Sequence, residues 1–335
     1  MRIAVDALGG DHAPHAIVAG ALDAARESNF TVVLVGPKAS LSPLLKSEGL
    51  AGRIEIVDAT EVITNDDAPS MAVRRKTNST IVVAANLLRT GQVDAVVTAG
   101  NTGAFMAAGL FIVGRIKSID RPALAPLIPT RQGRGVVLLD AGANMDSKPE
   151  NLLQYGIMGS IYASQVLRRD NPKVALLNVG TEESKGNQVT KEAYHLLKSA
   201  DIDFVGNIEA RELLHGEVDV VVCDGFTGNV LLKALEGMAH TFSAMLKEHF
   251  LRDLRSKIGA LLLRPSLRGF KKQFDYAEYG GAPLLGINGV LVKCHGSSQQ
   301  VAIKNGVLQA ARFVERGVVH NIQRAVAELP PKEKG

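Results

Sequence analysis

Apolar residues along this chain come in short continuous runs rather than in alternation. They read IAV (3–5), TVVLVG (31–36), RIEIVDA (53–59), DAVVTAG (94–100), GVVLLDAG (135–142), KVALLNVG (173–180), DVVVCDG (219–225) and VLVKCHG (290–296). Continuous apolarity suits strands that are covered on both faces. Stretches of helical length separate most of the runs, so the pattern predicts an α/β fold with a doubly wound, mostly parallel sheet. No repeat and no low-complexity tract interrupts it, and residues 1–329 read as one large α/β/α domain with a frayed tail over 330–335. The sector 241–275, TFSAMLKEHFLRDLRSKIGALLLRPSLRGFKKQFD, departs from this rhythm. It predicts a helical hairpin leaving the sheet domain, with a hinge near Gly259 and then Pro265.

Composition narrows the class. The chain has 335 residues, 46% of them hydrophobic and 21% charged, which is a soluble globular balance with ample core. The two cysteines, Cys223 and Cys294, form neither a CxxC pair nor a disulfide framework, so a reduced, cytoplasmic setting is expected. The start, MRIAVDALGGD, turns polar after five residues and does not read as a signal peptide. The longest apolar stretch, GAFMAAGLFIVG (103–114), is well short of the roughly 20 residues that span a bilayer. Net charge is +4, but residues 245–272 alone hold eight Lys or Arg against two acids. The rest of the chain is therefore slightly acidic.

Strand-like runs end repeatedly in glycine with asparagine or threonine: TAGNTGA (98–104), DAGANMD (140–146), NVGTEESKGN (178–187) and CDGFTGN (223–229). In open α/β sheets ligands bind beyond the carboxyl ends of strands. Helix N-termini there offer free N–H groups to an anion, and glycine lets backbone approach it closely. Any one such loop reads equally as a cap or a turn. Four together point to a cradle for a phosphate-sized anion. No GxGxxG follows the first strand and no GxxxxGK[ST] occurs, which disfavours dinucleotides and nucleoside triphosphates.

The segments VDALGGDHAP, TAGNTGA, LLDAGAN, LLNVGTEESKGN, VVVCDGFTGNV, EYGGAPLLG and KCHGSS, in this order, closely resemble the bacterial acyl-ACP:phosphate acyltransferase family of phospholipid synthesis. The resemblance runs from Met1 to about residue 320. It implies transfer of a long-chain acyl group from acyl carrier protein to inorganic phosphate, giving acyl phosphate. It further implies a homodimer with a Rossmann-like fold similar to phosphotransacetylases and, more distantly, isocitrate dehydrogenases. The implied setting is cytoplasmic and peripherally membrane-associated, with a membrane-bound glycerol-3-phosphate acyltransferase as a further partner.

The residues suit that chemistry. Phosphate is largely dianionic near neutrality, its second pKa being about 6 to 7 by analogy with phosphorylated side chains. The leaving thiol has a pKa of roughly 8.5. Positioning and oxyanion stabilisation should therefore dominate, and neither a strong base nor a cofactor or metal is expected. Lys185, between a strand end and a helix, is the expected contact to phosphate or oxyanion, and Asn229 is a second catalytic candidate that also suits phosphate. Asn101, Thr102, Gly103, Asn144, Thr227 and Gly228 are expected to form the phosphate cradle. His295 is a candidate proton donor to the leaving thiolate. It cannot pair with Cys294, because neighbouring strand residues face opposite ways. Cys223 reads as core, and Asp140 and Asp224 read as orienting or capping residues.

In the excursion, Arg252, Leu254, Arg255, Lys257, Ile258, Leu261, Leu262 and Arg264 make a basic amphipathic surface. Such a surface suits an acidic carrier protein or an anionic membrane, and equally a dimer contact. With few aromatics and no binding motif it does not suggest nucleic acid. A phosphotransacylase using coenzyme A, a hydroxyacid dehydrogenase and a non-enzymatic membrane scaffold are the competing readings.

Overall fold

A computed structural model describes residues 1–45, 49–50, 52–274 and 280–328. The first half of the chain runs β1 (Arg2–Asp6), α1 (His15–Arg26), β2 (Thr31–Val35), α2 (Lys38–Leu45), β3 (Ile54–Val57), α3 (Pro69–Arg75), α4 (Thr80–Arg89), β4 (Ala95–Thr98), α5 (Thr102–Ala108), β5 (Ala123–Leu124), β6 (Leu127–Ile128), β7 (Val136–Leu139) and α6 (Pro149–Gln165). The second half runs β8 (Lys173–Asn178), α7 (Gln188–Ser199), β9 (Asp203–Glu209), β10 (Val220–Val222), α8 (Gly225–Leu251), α9 (Leu254–Phe274), β11 (Ala282–Leu285), β12 (Val290–Lys293), α10 (Gln300–Glu315) and α11 (Val318–Ala327). All eight apolar runs of the sequence are strands.

The strands form two sheets where the sequence suggests one. The first has the order β3-β2-β1-β4-β12-β11-β5 and the second β6-β7-β10-β8-β9. The long apolar strands pair in parallel, β1 with β2 and β4, and β10 with β7 and β8. The antiparallel pairs lie where the sheets meet: β11 with β5 and β12, and β6 with β7. The split arises at 122–128, where one extended segment supplies β5 to the first sheet and β6 to the second. Two two-residue strands are too short to show as a hydrophobic run, so the sequence pattern passes over them.

One hydrophobic core nevertheless crosses both sheets, joining Ile3, Val97 and Val292 of the first to Val137, Leu176 and Val220 of the second. A buried polar clasp reinforces the join: Gln309 of α10 donates to the Tyr162 hydroxyl of α6 at 2.9 Å and accepts from Gly281 N at 2.7 Å.

The helical excursion begins earlier than 241. Helix α8 starts directly after β10, buries Gly225 and Gly228, and continues into solvent to pack against α9. The reversal lies at Arg252–Asp253 rather than at Gly259. Asp253 accepts from Ser256 N at 2.9 Å and so caps α9, whereas Gly259 and Pro265 both lie inside that helix. A good N-cap is worth about 1 kcal/mol, which places the turn where the cap is. Residue 275 of the expected excursion, the Glu278–Tyr279 part of EYGG and the tail 330–335 fall outside the described residues.

The two glycines at the start of α8 make a testable contrast with one farther along. A Cβ on Gly228 would overlap the Asp140 carbonyl, whereas one on Gly237 meets nothing within 4 Å. Gly228→Ala should cost about 1–3 kcal/mol by overpacking, and Gly237→Ala should be stabilising by up to about 1 kcal/mol. Denaturant titration of both variants checks this; equal midpoints would show that α8 does not need its close approach to Asp140.

Candidate active site

Strands β1, β4 and β12 lie side by side and end together at Asp6, Thr98 and Lys293. The loops beyond them fence a cavity of about 410 Å³ whose lining includes Asp6, Thr98, Asn101, Lys293 and His295. Glycine is required for the loops to approach one another. A Cβ on Gly9 would lie 2.6 Å from Asp6 Oδ2 and 2.7 Å from Gly100 N. Gly10 sits at φ +103° beside Ala99 and Gly296. Asp11 N donates to Gly296 O at 2.9 Å, closing the ring of loops.

The cavity floor is polar and buried. Thr98 Oγ1 donates to Asp6 Oδ2 at 2.7 Å and accepts from Gly100 N at 2.9 Å, while Leu8 N donates to Asp6 Oδ1 at 3.2 Å. Burial pushes the Asp6 carboxyl above the usual range, against the pull of these donors and of Thr80. Lys293 is only 7% exposed. Its Nζ donates to Ala99 O at 3.2 Å and also to Cys294 O, tying the β4 loop to the β12 loop. Burial lowers its pKa to about 8, and the carboxyl groups of Asp6 and Asp11 resist that fall. Cys294 turns the other way, fully buried, its thiol pushed up to about 12 by burial. His295 follows on the cavity side, with Nδ1 2.8 Å from Ser297 Oγ.

The second sheet ends in a matching edge made by β7, β10 and β8. Asp140, wholly buried, accepts from the backbone N–H groups of Leu124, Gly142, Ala143 and Asn144 at 3.0, 3.2, 3.0 and 2.7 Å. Burial raises its pKa while those donors lower it. The Asn144 amide donates to Asp140 Oδ2, Pro122 O and the Tyr155 hydroxyl. Asp224 caps α8, accepting from Thr227 N at 2.8 Å and from Thr227 Oγ1 at 2.7 Å. Asn229 lies over the loop, its Oδ1 3.4 Å from the position a Cβ on Gly142 would take.

Helix α8 connects the two edges. Lys233 follows Asn229 by four residues and so shares its face. Its charge is felt at both Lys293 and His295, and its ion-pair partner Glu236, 2.7 Å away, is felt at His295. Lys233, on the second turn of α8, therefore bears electrostatically on the first-sheet cavity.

A family model described as "Fatty acid synthesis protein" matches residues 1–321. Over 99% of both chains the sequence is 51% identical to a phosphate acyltransferase of Alkaliphilus oremlandii, and over 97% of both it is 54% identical to one of Brevibacillus brevis. The chain belongs to the phosphate acyltransferase family. Among solved structures, a phosphotransacetylase from Streptococcus pyogenes aligns over 94% of both chains with a TM-score of 0.62 at 19% identity. A branched-chain phosphotransacylase from Enterococcus faecalis gives 0.58 at 15%, covering 94% of this chain and 99% of that one. These two likenesses bear out the α/β fold class.

Within this phosphate acyltransferase fold the candidate residues divide between the two edges. Asn101, Thr102 and His295 line the first-sheet cavity. Asn101 also caps α5, accepting from Ala104 N at 2.8 Å. Gly103 lacks a side chain because Pro69 Cγ lies 2.5 Å from where a Cβ would be, which ties it to packing on α3. Asn144 holds Asp140, Thr227 bonds the capping Asp224, and Gly228 packs against the Asp140 carbonyl at the start of α8. Lys185 lies on the second edge, 49% exposed, with Nζ 3.9 Å from Glu182. Asp6, Thr98 and Lys293 escaped the sequence reading. The signal for Lys293 was a lysine closing the apolar run VLVK.

Among the described residues no three His, Cys, Asp or Glu side chains gather as metal ligands, and no helix is long and apolar enough to cross a membrane.

The surroundings of His295 bear on its candidate role as proton donor. Burial holds its pKa below the ordinary 6.5, with Lys233 and Lys293 adding to the fall and Glu236 and Asp11 opposing it. NMR titration should place its midpoint below 6.5; a midpoint at or above 6.5 would show that burial does not govern it.

Proposed function

We propose that this phosphate acyltransferase moves a long-chain fatty acyl group from acyl carrier protein to inorganic phosphate, supplying acyl phosphate for phospholipid synthesis. The observation that carries the reading is the glycine-fenced cavity with a buried lysine and threonine on its floor. Phosphate enters that cavity against Asn101, Thr102 and the cavity floor. The thioester carbonyl lies toward α8, where Asn229 and Lys185 are the proposed oxyanion contacts.

A phosphate oxygen attacks the carbonyl carbon and forms the new C–O bond. Collapse of the tetrahedral intermediate breaks the C–S bond, and the carrier leaves as a thiolate that is protonated by solvent. Nothing is oxidised or reduced. Phosphate arrives as an anion and the thiol is an adequate leaving group, so positioned donors account for the acceleration, each worth about 10²- to 10³-fold.

The hairpin is the proposed docking element. Arg252, Leu254, Arg255, Lys257, Ile258, Leu261, Leu262 and Arg264 are all exposed on it, which suits an acidic carrier protein, an anionic membrane surface or the second subunit of a homodimer. The proposed setting is a cytoplasmic enzyme held peripherally at the membrane, handing its product to a membrane-bound glycerol-3-phosphate acyltransferase.

The decisive assay is phosphate-dependent release of free thiol from palmitoyl-ACP, run beside palmitoyl-CoA. Saturation by phosphate with the carrier thioester is expected, together with a loss of at least about tenfold in folded Lys185→Ala and Asn229→Ala, within the range for a removed oxyanion donor. Turnover with the CoA thioester alone would make the enzyme a CoA-dependent phosphotransacylase. No turnover with either would leave a scaffold.

A further inference from the structure

We propose that Lys293 is the cation that receives the phosphate nucleophile in the first-sheet cavity, an inference resting on the acyl-phosphate reading of the cleft. An ammonium has three N–H donors. Two of those on Lys293 go to Ala99 O and Cys294 O, both neutral carbonyls on the loops that form the cavity wall. One donor remains for a ligand in the cavity that the residue lines.

The burial of this lysine is costly, since its neighbours in the strand are the fully or nearly fully buried Val290, Leu291 and Val292. An apolar residue in its place would serve folding as well or better. A compact point charge at the bottom of a polar cavity suits phosphate instead. The surroundings are arranged for it. Asp6, at the end of β1, has its carboxylate taken up by Thr98 Oγ1 and Leu8 N, and so acts as a counter-charge for the lysine within the floor. Asp11 from the β1–α1 loop adds a second negative charge, and Lys233 from α8 a second positive one. Cys294 and His295 complete the titratable groups near it. Burial pushes the Cys294 thiol up to about 12 and lowers the pKa of the His295 imidazole.

The sign of the pH dependence follows. Burial brings the Lys293 pKa down to about 8, so phosphate binding should weaken as pH rises through that value, where phosphate itself is already mostly dianionic. Removing the Asp6 charge disfavours the ammonium further and should move this alkaline limb to lower pH.

The test uses the full-length enzyme and the variants Lys293→Met, Lys293→Arg and Asp6→Asn. Initial rates are measured against phosphate at saturating palmitoyl-ACP across the alkaline range, and binding of inorganic phosphate alone is followed by calorimetry. In Lys293→Met the KM for phosphate should rise at least about tenfold and lose its alkaline limb, while the KM for the acyl donor changes less than about twofold. Lys293→Arg should keep phosphate binding and shift the limb beyond the measured range, because guanidinium does not deprotonate there. A folded Lys293→Met with unchanged phosphate KM and pH profile overturns the proposal. Should that variant not fold, an alkaline limb unmoved in both Asp6→Asn and Lys293→Arg overturns it equally. Calorimetric phosphate binding that disappears in Lys293→Met supports the site even if the parent fails to turn over palmitoyl-ACP, so the two readings fail separately.

Discussion

Asp140 accepts hydrogen bonds from four backbone N–H groups and one side-chain amide, and it does so wholly out of solvent. Those donors come from β5 of the first sheet, from the loop after β7 of the second, and from Asn144, which also grips Pro122. A buried carboxylate without partners would be intolerable, so all three pieces of chain must close around it for either to be stable. The join between the sheets is thus fixed at the point where their carboxyl edges meet. The start of α8 is fixed there too. Gly225 N donates to Asn144 O, and Gly228 sits against the Asp140 carbonyl with no room for a side chain. The direction of α8, and with it the position of Asn229 and Lys233 along the cleft, follows from one buried charge.

The glycine-rich strand ends therefore do two different things. At the second edge, DGFTGN uses its glycines to bring helix and loop backbones into contact and its threonine to complete the cap on Asp224. At the first edge, Gly9, Gly10 and Gly100 bring three loops together around an open cavity. The same local composition makes a packed joint in one place and an open cavity in the other. What separates them is the neighbour: Asp140 and Asn144 fill the space at one edge, while the side chains of Thr98 and Lys293 leave it open at the other.

This accounts for what the sequence could and could not reveal. The eight parallel strands were legible because strands covered on both faces have to be continuously apolar. β5 and β6 were not, since two residues give no pattern; β11 carries a proline in its short run APLL, and β9 was masked by a largely half-buried run, DFVGNIE. The division into two sheets depends on the first two of these. The strand-end residues read in sequence as a phosphate-compatible set, but Asn144 and Thr227 look the same there whether they face a ligand or a carboxylate of their own chain. Lys293 was hidden by the opposite bias. A lysine next to an apolar run normally marks the strand's exit to solvent, and only the three-loop enclosure shows that this one stays inside. The hinge in the hairpin was misplaced because Gly259 is a visible helix breaker, whereas the cap on Asp253 fixes the turn six residues earlier.

The electrostatic design of the cleft follows from the reaction it serves. Attack by an anion on a neutral thioester passes through an intermediate with negative charge concentrated near the carbonyl. A site dense with positive charge would hold the phosphate dianion too firmly in the ground state and gain little on the way up. Around the first-sheet cavity, Lys293 and Lys233 are set against Asp6 and Asp11. Lys293 is anchored to two loop carbonyls and Asp6 to Thr98 and Leu8, so both charges are held in place. On the proposed reading, such placement without excess charge would let a phosphate bind loosely enough to react, with no need for a strong base.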